Sequence, residues 1–188
     1  MSSDALNPPG TRTGATIWLT GLPSAGKTTI ATALTERLRA EGHQVQMLDG
    51  DEVRPLLSAE LGFSRADRFT NVQRIGYVAE LLASHGVKVL VSVIAPFADG
   101  RATVRERHEA AGTGYLEIHV ATPVEICARR DVKGLYAKQA AGELAGLTGV
   151  DGPYEAPTSP DLRLETHPQT VDESVGALYA LLVARGLA

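Results

Sequence analysis

The sequence predicts an α/β fold: a three-layer domain with a five-stranded parallel sheet between helices, and a lid loop in its last third. Three observations predict it. Short apolar, β-branched runs alternate along the chain with segments of helical period. The run "VKVLVSVI" (87–94) is apolar almost throughout, as a strand buried on both faces requires. The stretch "GLPSAGKTT" (21–29) joins the first apolar run to the first helical one through a glycine-bounded loop.

"TIWLT" (16–20) reads as the first strand and 27–41 as a helix ending at Gly42. "QVQMLD" (44–49) is the second strand, followed by a helix at 52–59 that Asp51 is placed to cap. Residues 66–85 form a long amphipathic helix with Val72, Ile75, Val78, Ala79 and Leu82 on one face. The central strand 87–94 leads to a helix at 100–111, a strand "YLEIHVA" (115–121) and a short helix at 123–130 with Pro123 in its first position. "LRLET" (162–166) is the last strand, and a helix at 170–185 closes the chain before Gly186. Parallel strands joined in this way take right-handed crossovers. The stretch 131–160 breaks the regularity with five glycines and three prolines and reads as a lid. Lys133, Tyr136, Lys138, Asp151 and Tyr154 equip it for binding. Residues 1–13 read as a flexible tail and 14–188 as a single domain, with no internal repeat or linker.

The chain has 188 residues, 44% of them hydrophobic, enough for one core without metal or disulfide staples. Lys and Arg total 18 against 22 Asp and Glu, a net charge of -4, which argues against a non-specific nucleic-acid binder. The single cysteine, Cys127, permits no intrachain disulfide, and a reducing, cytoplasmic setting is expected. The start has neither the apolar core nor the basic flank of a signal peptide, and the longest apolar stretch is too short to span a bilayer, so no membrane is expected.

Gly21, Gly26, Lys27 and Thr28 fit the pattern G-x-x-x-x-G-K-[ST]. Its glycines let backbone N–H groups turn inward around a phosphate, and the following helix offers its positive end to the same anion. Lys27 supplies a mobile charge for β- and γ-phosphates, and the Thr28 hydroxyl can ligate Mg²⁺. This is the signature of a P-loop NTPase fold, here expected to be nucleotide-kinase-like, but the loop alone does not choose between a GTPase, an ATPase and a kinase. The chain has no N-K-x-D stretch for reading guanine, and "VLVSVIAPF" ends without a carboxylate. The carboxylates after a strand are instead Asp49 and Asp51, in "LDGDEVR". Ligands gather at the carboxyl ends of parallel strands. There the pair could orient a metal or accept the proton of an attacking hydroxyl.

In "LGFSRADRFTNVQRIG", Arg68, Asn71 and Arg74 are spaced by three and share a helix face, and Phe63 could stack on a base. Forked guanidinium donors suit phosphate or sulfate oxygens. Arg65 reads as solvated. Cys127 reads as a small packed residue, the five histidines lack metal-ligand spacing, and Asp99, Arg101 and Arg105, which follow the third strand, could reach the site, though a helix-capping and surface reading suits them at least as well.

With these stretches in view, the chain resembles the adenylylsulfate (APS) kinases over roughly 14–187. The resemblance rests on the loop, "LDGD", the D-R-x-x-N-x-x-R-I pattern, and the lid's K-G-L-Y and T-G-x-D-x-P-Y-E-x-P. It implies transfer of the γ-phosphoryl of ATP to the 3′-hydroxyl of adenosine 5′-phosphosulfate. It also implies that the loop residues Gly21, Leu22, Pro23, Ser24, Ala25, Gly26, Lys27, Thr28 and Thr29 hold ATP, with Arg130 flanking its adenine. Asp49 and Asp51 would sit at the reacting hydroxyl and metal; Arg54, Arg68, Asn71 and Arg74 would hold the acceptor nucleotide, Phe63 its adenine, with Ile94, Ala95 and Leu147 beside it and Lys133 closing over it. A homodimer is implied, with ATP sulfurylase a possible functional partner. Three positions depart from the family pattern. Ala95 stands where many members have a phosphorylatable serine, Leu147 where others have a phenylalanine, and Pro23-Ser24 where Ser-Gly is frequent. The readings held beside this one are another small-molecule P-loop kinase, of gluconate, nucleoside or antibiotic type, and a non-catalytic nucleotide-binding subunit.

Overall fold

The computed structural model describes residues 13–188; the tail expected over 1–13 lies, save for Thr13, outside them. In chain order the elements are β1 (Ala15–Thr20), α1 (Lys27–Ala40), β2 (Val45–Asp49), α2 (Gly50–Leu57), α3 (Arg65–Ser84) and β3 (Lys88–Ser92). There follow α4 (Ala98–Ala110), β4 (Gly114–Val120), α5 (Val124–Arg130), α6 (Leu135–Ala140), β5 (Leu162–Leu164) and α7 (Val171–Ala184).

The five strands form one parallel sheet in the order β2-β3-β1-β4-β5. Every residue of β1 and β3 is buried, which is why neither run alternates. Successive β1 side chains point to opposite faces and seed two cores. Ile17 and Leu19 pack with Leu34 and Leu38 of α1 and Leu178 and Leu182 of α7, while Trp18 packs on the other face with Ile75 and Ala79 of α3 and Val104 of α4. Ile17 sits in register with Leu90 and Leu116, so the strands that end in functional loops finish side by side. Val72, Ile75 and Ala79 of the expected helix face are buried, with Val78 and Leu82 packed at the core's edge.

Three local expectations are corrected. The helix expected at 52–59 begins at Gly50, and its cap is Asp49, whose carboxylate accepts the Asp51 N–H at 2.9 Å. Asp51 thereby keeps its own carboxylate free of capping duty. Pro123 is the N-cap of α5 rather than its first helical residue. The lid is not all loop: it carries α6, and Tyr136 on that helix is buried with its hydroxyl donating to Pro23 O at 3.0 Å. Thr170 and Glu173 form a capping box at the start of α7, and Gly186, at φ +66°, follows its end.

Candidate active site

The carboxyl ends of β1, β2 and β3 open onto a cavity of about 680 Å³. Its floor is the loop between β1 and α1. Gly21 is required there because a Cβ would lie 2.5 Å from Val120 O, and Gly26 because it caps α1 at φ +104°. Ser24 also lies in the left-handed region, at φ +60°.

Lys27 begins α1 and is 7% exposed. Its ammonium donates to Gly21 O at 2.9 Å and Leu22 O at 2.8 Å. Burial, with a smaller push from Lys133, brings its pKa down to about 8. The Thr28 hydroxyl donates to Asp49 Oδ2 at 2.7 Å and lies 3.2 Å from Ser92 Oγ. Asp49 is thus held at the base of the site, and Asp51 reaches the cavity wall, where it pairs with Lys133 of the lid. The sequence pattern alone did not reveal that ion pair.

At one end of the cavity Arg130 donates to Ala25 O at 3.2 Å and to Thr166 O at 3.1 Å, lying against the loop. Gln169, Thr170, Val171 and Ser174 complete this end. Gln169 and Thr170 come from the β5–α7 connection and Val171 and Ser174 from the first turn of α7; only the Thr170 and Glu173 spacing marks this stretch, as a helix start.

At the other end stand Arg54, Phe63, Arg68, Asn71, Ile94, Ala95 and Lys133. Phe63 is 70% exposed, with the Arg54 and Arg68 guanidinium groups 4.5 and 5.5 Å from its ring centroid. Arg68 donates to Phe63 O at 2.8 Å, Thr148 Oγ1 at 2.9 Å and Gly146 O at 3.1 Å, tying α3 to the lid. Burial and the neighbouring Arg54 lower its pKa, a cation in want of an anion. Asn71 Oδ1 is buried and finds no hydrogen-bond partner among the described residues.

Five expected residues are not among those lining the cavity: Gly21, Leu22 and Asp49, which hold Lys27 and Thr28, and Arg74 and Leu147, which stand elsewhere. Arg74 donates to Leu57 O at 2.7 Å and Glu60 Oε1 at 2.5 Å, fastening the end of α2, and is not among the lining residues. It lies six residues along α3 from Arg68, about 9 Å farther down the axis at 1.5 Å per residue. Leu147 is buried in the core cluster on the α1 side of the sheet rather than facing the cavity. Arg101, for which both a reach to the site and a surface or capping place were open, is 4% exposed and does not line the cavity.

A phosphate loop at the centre of a cavity, with cationic side chains at one end and a hydroxyl–carboxylate pair beneath, defines a P-loop kinase. The model of the adenylylsulphate kinase family matches residues 13–165. A probable adenylyl-sulfate kinase of Synechocystis is 50% identical over 90% of this chain and 94% of its own. An adenylyl-sulfate kinase of Myxococcus xanthus is 49% identical over 95% and 96%. The structure of a Mycobacterium tuberculosis APS kinase in complex with AMPPNP and APS superimposes with a TM-score of 0.88 at 44% identity, covering 94% of this chain and 99% of that one. The chain belongs to the adenylyl-sulfate kinase family. A gluconokinase of Sinorhizobium meliloti, 18% identical with a TM-score of 0.58, shares the fold alone. No described helix is long and apolar enough to cross a membrane.

Proposed function

We propose that this protein transfers the γ-phosphoryl of ATP to the 3′-hydroxyl of adenosine 5′-phosphosulfate, yielding 3′-phosphoadenosine 5′-phosphosulfate. The observation that carries the reading is one cavity in which the phosphate loop lies between an end at Arg130, whose guanidinium is held by the Ala25 and Thr166 carbonyls, and an end that gathers three cations, Arg54, Arg68 and Lys133. ATP takes the first end, its adenine against Arg130 and its phosphates over the loop. The acceptor takes the second, its adenine on Phe63 and its phosphosulfate near the guanidinium groups. A neutral sugar or drug acceptor would leave Arg54 and Arg68, which form no ion pair among the described residues, without an anionic partner.

In this reading Lys27 leaves the Gly21 and Leu22 carbonyls for the β- and γ-phosphate oxygens. Asp51 leaves Lys133 and accepts the 3′-hydroxyl proton as the oxygen attacks in line. Lys133, released, closes over the acceptor's anionic groups. The residues fit Mg²⁺: the Thr28 hydroxyl and the Asp49 carboxylate are hard oxygen donors 2.7 Å apart, and Mg²⁺ bound with a nucleotide needs only one or two protein carboxylates. Thr28 would ligate it and Asp49 would orient Thr28; the ion supplies neutralisation of charge on the β- and γ-oxygens. Ala95 leaves no serine for a phosphoenzyme at that position, and in-line transfer needs none. We further propose a homodimer in a reducing, cytoplasmic setting, with ATP sulfurylase as functional rather than necessarily bound partner.

The test is a coupled assay of ADP release with ATP and Mg²⁺, with and without adenosine phosphosulfate, and with gluconate or adenosine in its place. Release that depends on the sulfated nucleotide is expected. Release supported by the neutral acceptors and not by the sulfated one would overturn the assignment.

A further inference from the structure

The turn that leaves β3, Ile94-Ala95-Pro96, lines the cationic end of the cavity. Ala95 adopts φ +43°, a region that a residue with a Cβ disfavours. Something must hold it there, and the structure shows what does. Each carbonyl of the turn is tied behind the cavity. Thr20 Oγ1 donates to Ile94 O at 2.5 Å, Arg101 Nη1 to Ala95 O at 2.7 Å, and the Glu155 N–H to Pro96 O at 2.8 Å.

Arg101 is the centre of this arrangement. Its Nε donates to Glu117 Oε1 of β4 at 2.6 Å, and its Nη2 to Glu155 O, at the far end of the lid, at 2.7 Å. One buried guanidinium therefore joins three segments: the turn at 95, the strand β4, and the lid where it returns to the body. Its planar fork makes three directed bonds that a lysine could not reproduce. Tyr154 reinforces the same junction, its hydroxyl 3.2 Å from Thr20 Oγ1. Arg101 is not among the residues lining the cavity.

We propose that Arg101 is a positioning residue for the acceptor nucleotide: it holds Ala95 in its left-handed turn and locks that turn to the end of the lid, so that the acceptor wall is built before substrate arrives. The proposal rests on the reading above that the acceptor lies against Ile94 and Ala95. ATP, carried by the loop at 21–28, should be indifferent to it.

The experiment measures kcat and both Michaelis constants by ADP release in the full chain, for Arg101→Met, Arg101→Lys, Ala95→Gly and the double variant Ala95→Gly/Arg101→Met. Glycine adopts the left-handed turn without being held, so it should relieve the need for Arg101. Arg101→Met is expected to raise the Michaelis constant for adenosine phosphosulfate by ~10-fold or more, the scale of one lost hydrogen bond from a charged donor, with that for ATP within about twofold. Adding Ala95→Gly should recover at least ~3-fold of the loss, a coupling that independent sites would not show. If both Michaelis constants move together, or the double variant is merely additive, Arg101 is part of the general core and the proposal fails. Should Arg101→Met not fold, Arg101→Lys, which keeps the charge but not the fork, is judged by the same two criteria. Wild-type protein that ignores adenosine phosphosulfate would remove the acceptor reading itself; a wild type that uses it beside an Arg101 variant with an unchanged constant would remove only this inference.

Discussion

Buried in the loop without a phosphate, Lys27 is a poor ammonium; with a phosphate it should become a good one. With burial lowering its pKa to about 8, roughly one Lys27 in ten carries its proton at pH 9 in the free protein. A polyphosphate against the ammonium favours the charged form and should return the pKa to 10.5 or above. Binding of ATP should then take up about 0.9 proton at pH 9 but only about 0.1 at pH 7, and the apparent affinity should fall about tenfold between those values. The nucleotide itself contributes little, because a phosphate's last proton, with pKa about 6, is already lost. Calorimetric titration of ATP in two buffers of different ionisation enthalpy measures the uptake directly. Lys27→Arg, always protonated, should abolish it while keeping the charge. Equal uptake in Lys27→Arg, or none in the wild type at pH 9, would refute the reasoning. The same burial burdens the empty fold. Because the folded pKa lies below the unfolded one, the unfolded chain binds the proton more tightly between pH 8 and 10.5. The cost is full below pH 8, up to about 3 kcal/mol, and fades as pH rises to 10.5. Lys27→Met should therefore melt above the wild type at pH 7, less the value of the two carbonyl bonds it loses, by a margin that shrinks through that window.

Asp51→Asn should lower kcat by ~10²- to 10⁴-fold, the usual worth of a proton acceptor, and leave calorimetric ATP affinity within a few-fold; an unchanged kcat would remove Asp51 from the chemistry. Incubation with γ-labelled ATP should leave no acid-stable label on a serine, and label that chases into product would contradict direct transfer. Arg68→Ala should raise the Michaelis constant for adenosine phosphosulfate by roughly 10- to 150-fold. Arg74→Ala, whose guanidinium is engaged by Leu57 O and Glu60, should change it less than about threefold; the reverse order would show that the two arginines exchange roles when ligand binds.

Local sequence determined the phosphate loop completely enough to read. A strand, glycines for positive φ and a helix-opening lysine are features of neighbouring residues, so "GLPSAGKTT" announces its geometry without help from the rest of the chain. The parallel sheet was legible for a similar reason: a strand buried on both faces must be apolar throughout, as β3 is. Which face of α3 carries Arg68, Asn71 and Arg74 was also legible, because helical spacing fixes direction. How far along that face the cavity extends was not, since spacing says nothing of where another element ends; α2 stops at Leu57 and claims Arg74. Only the tertiary structure decided the role of Arg101. Its partners stand at positions 95, 117 and 155, and they converge because β3 and β4 both flank β1 while the lid returns across their ends. The pairing of Lys133 with Asp51, 82 residues apart, has the same origin. A charge exposes itself to water by default, and only a fold that brings acceptors from distant segments around it can bury it instead.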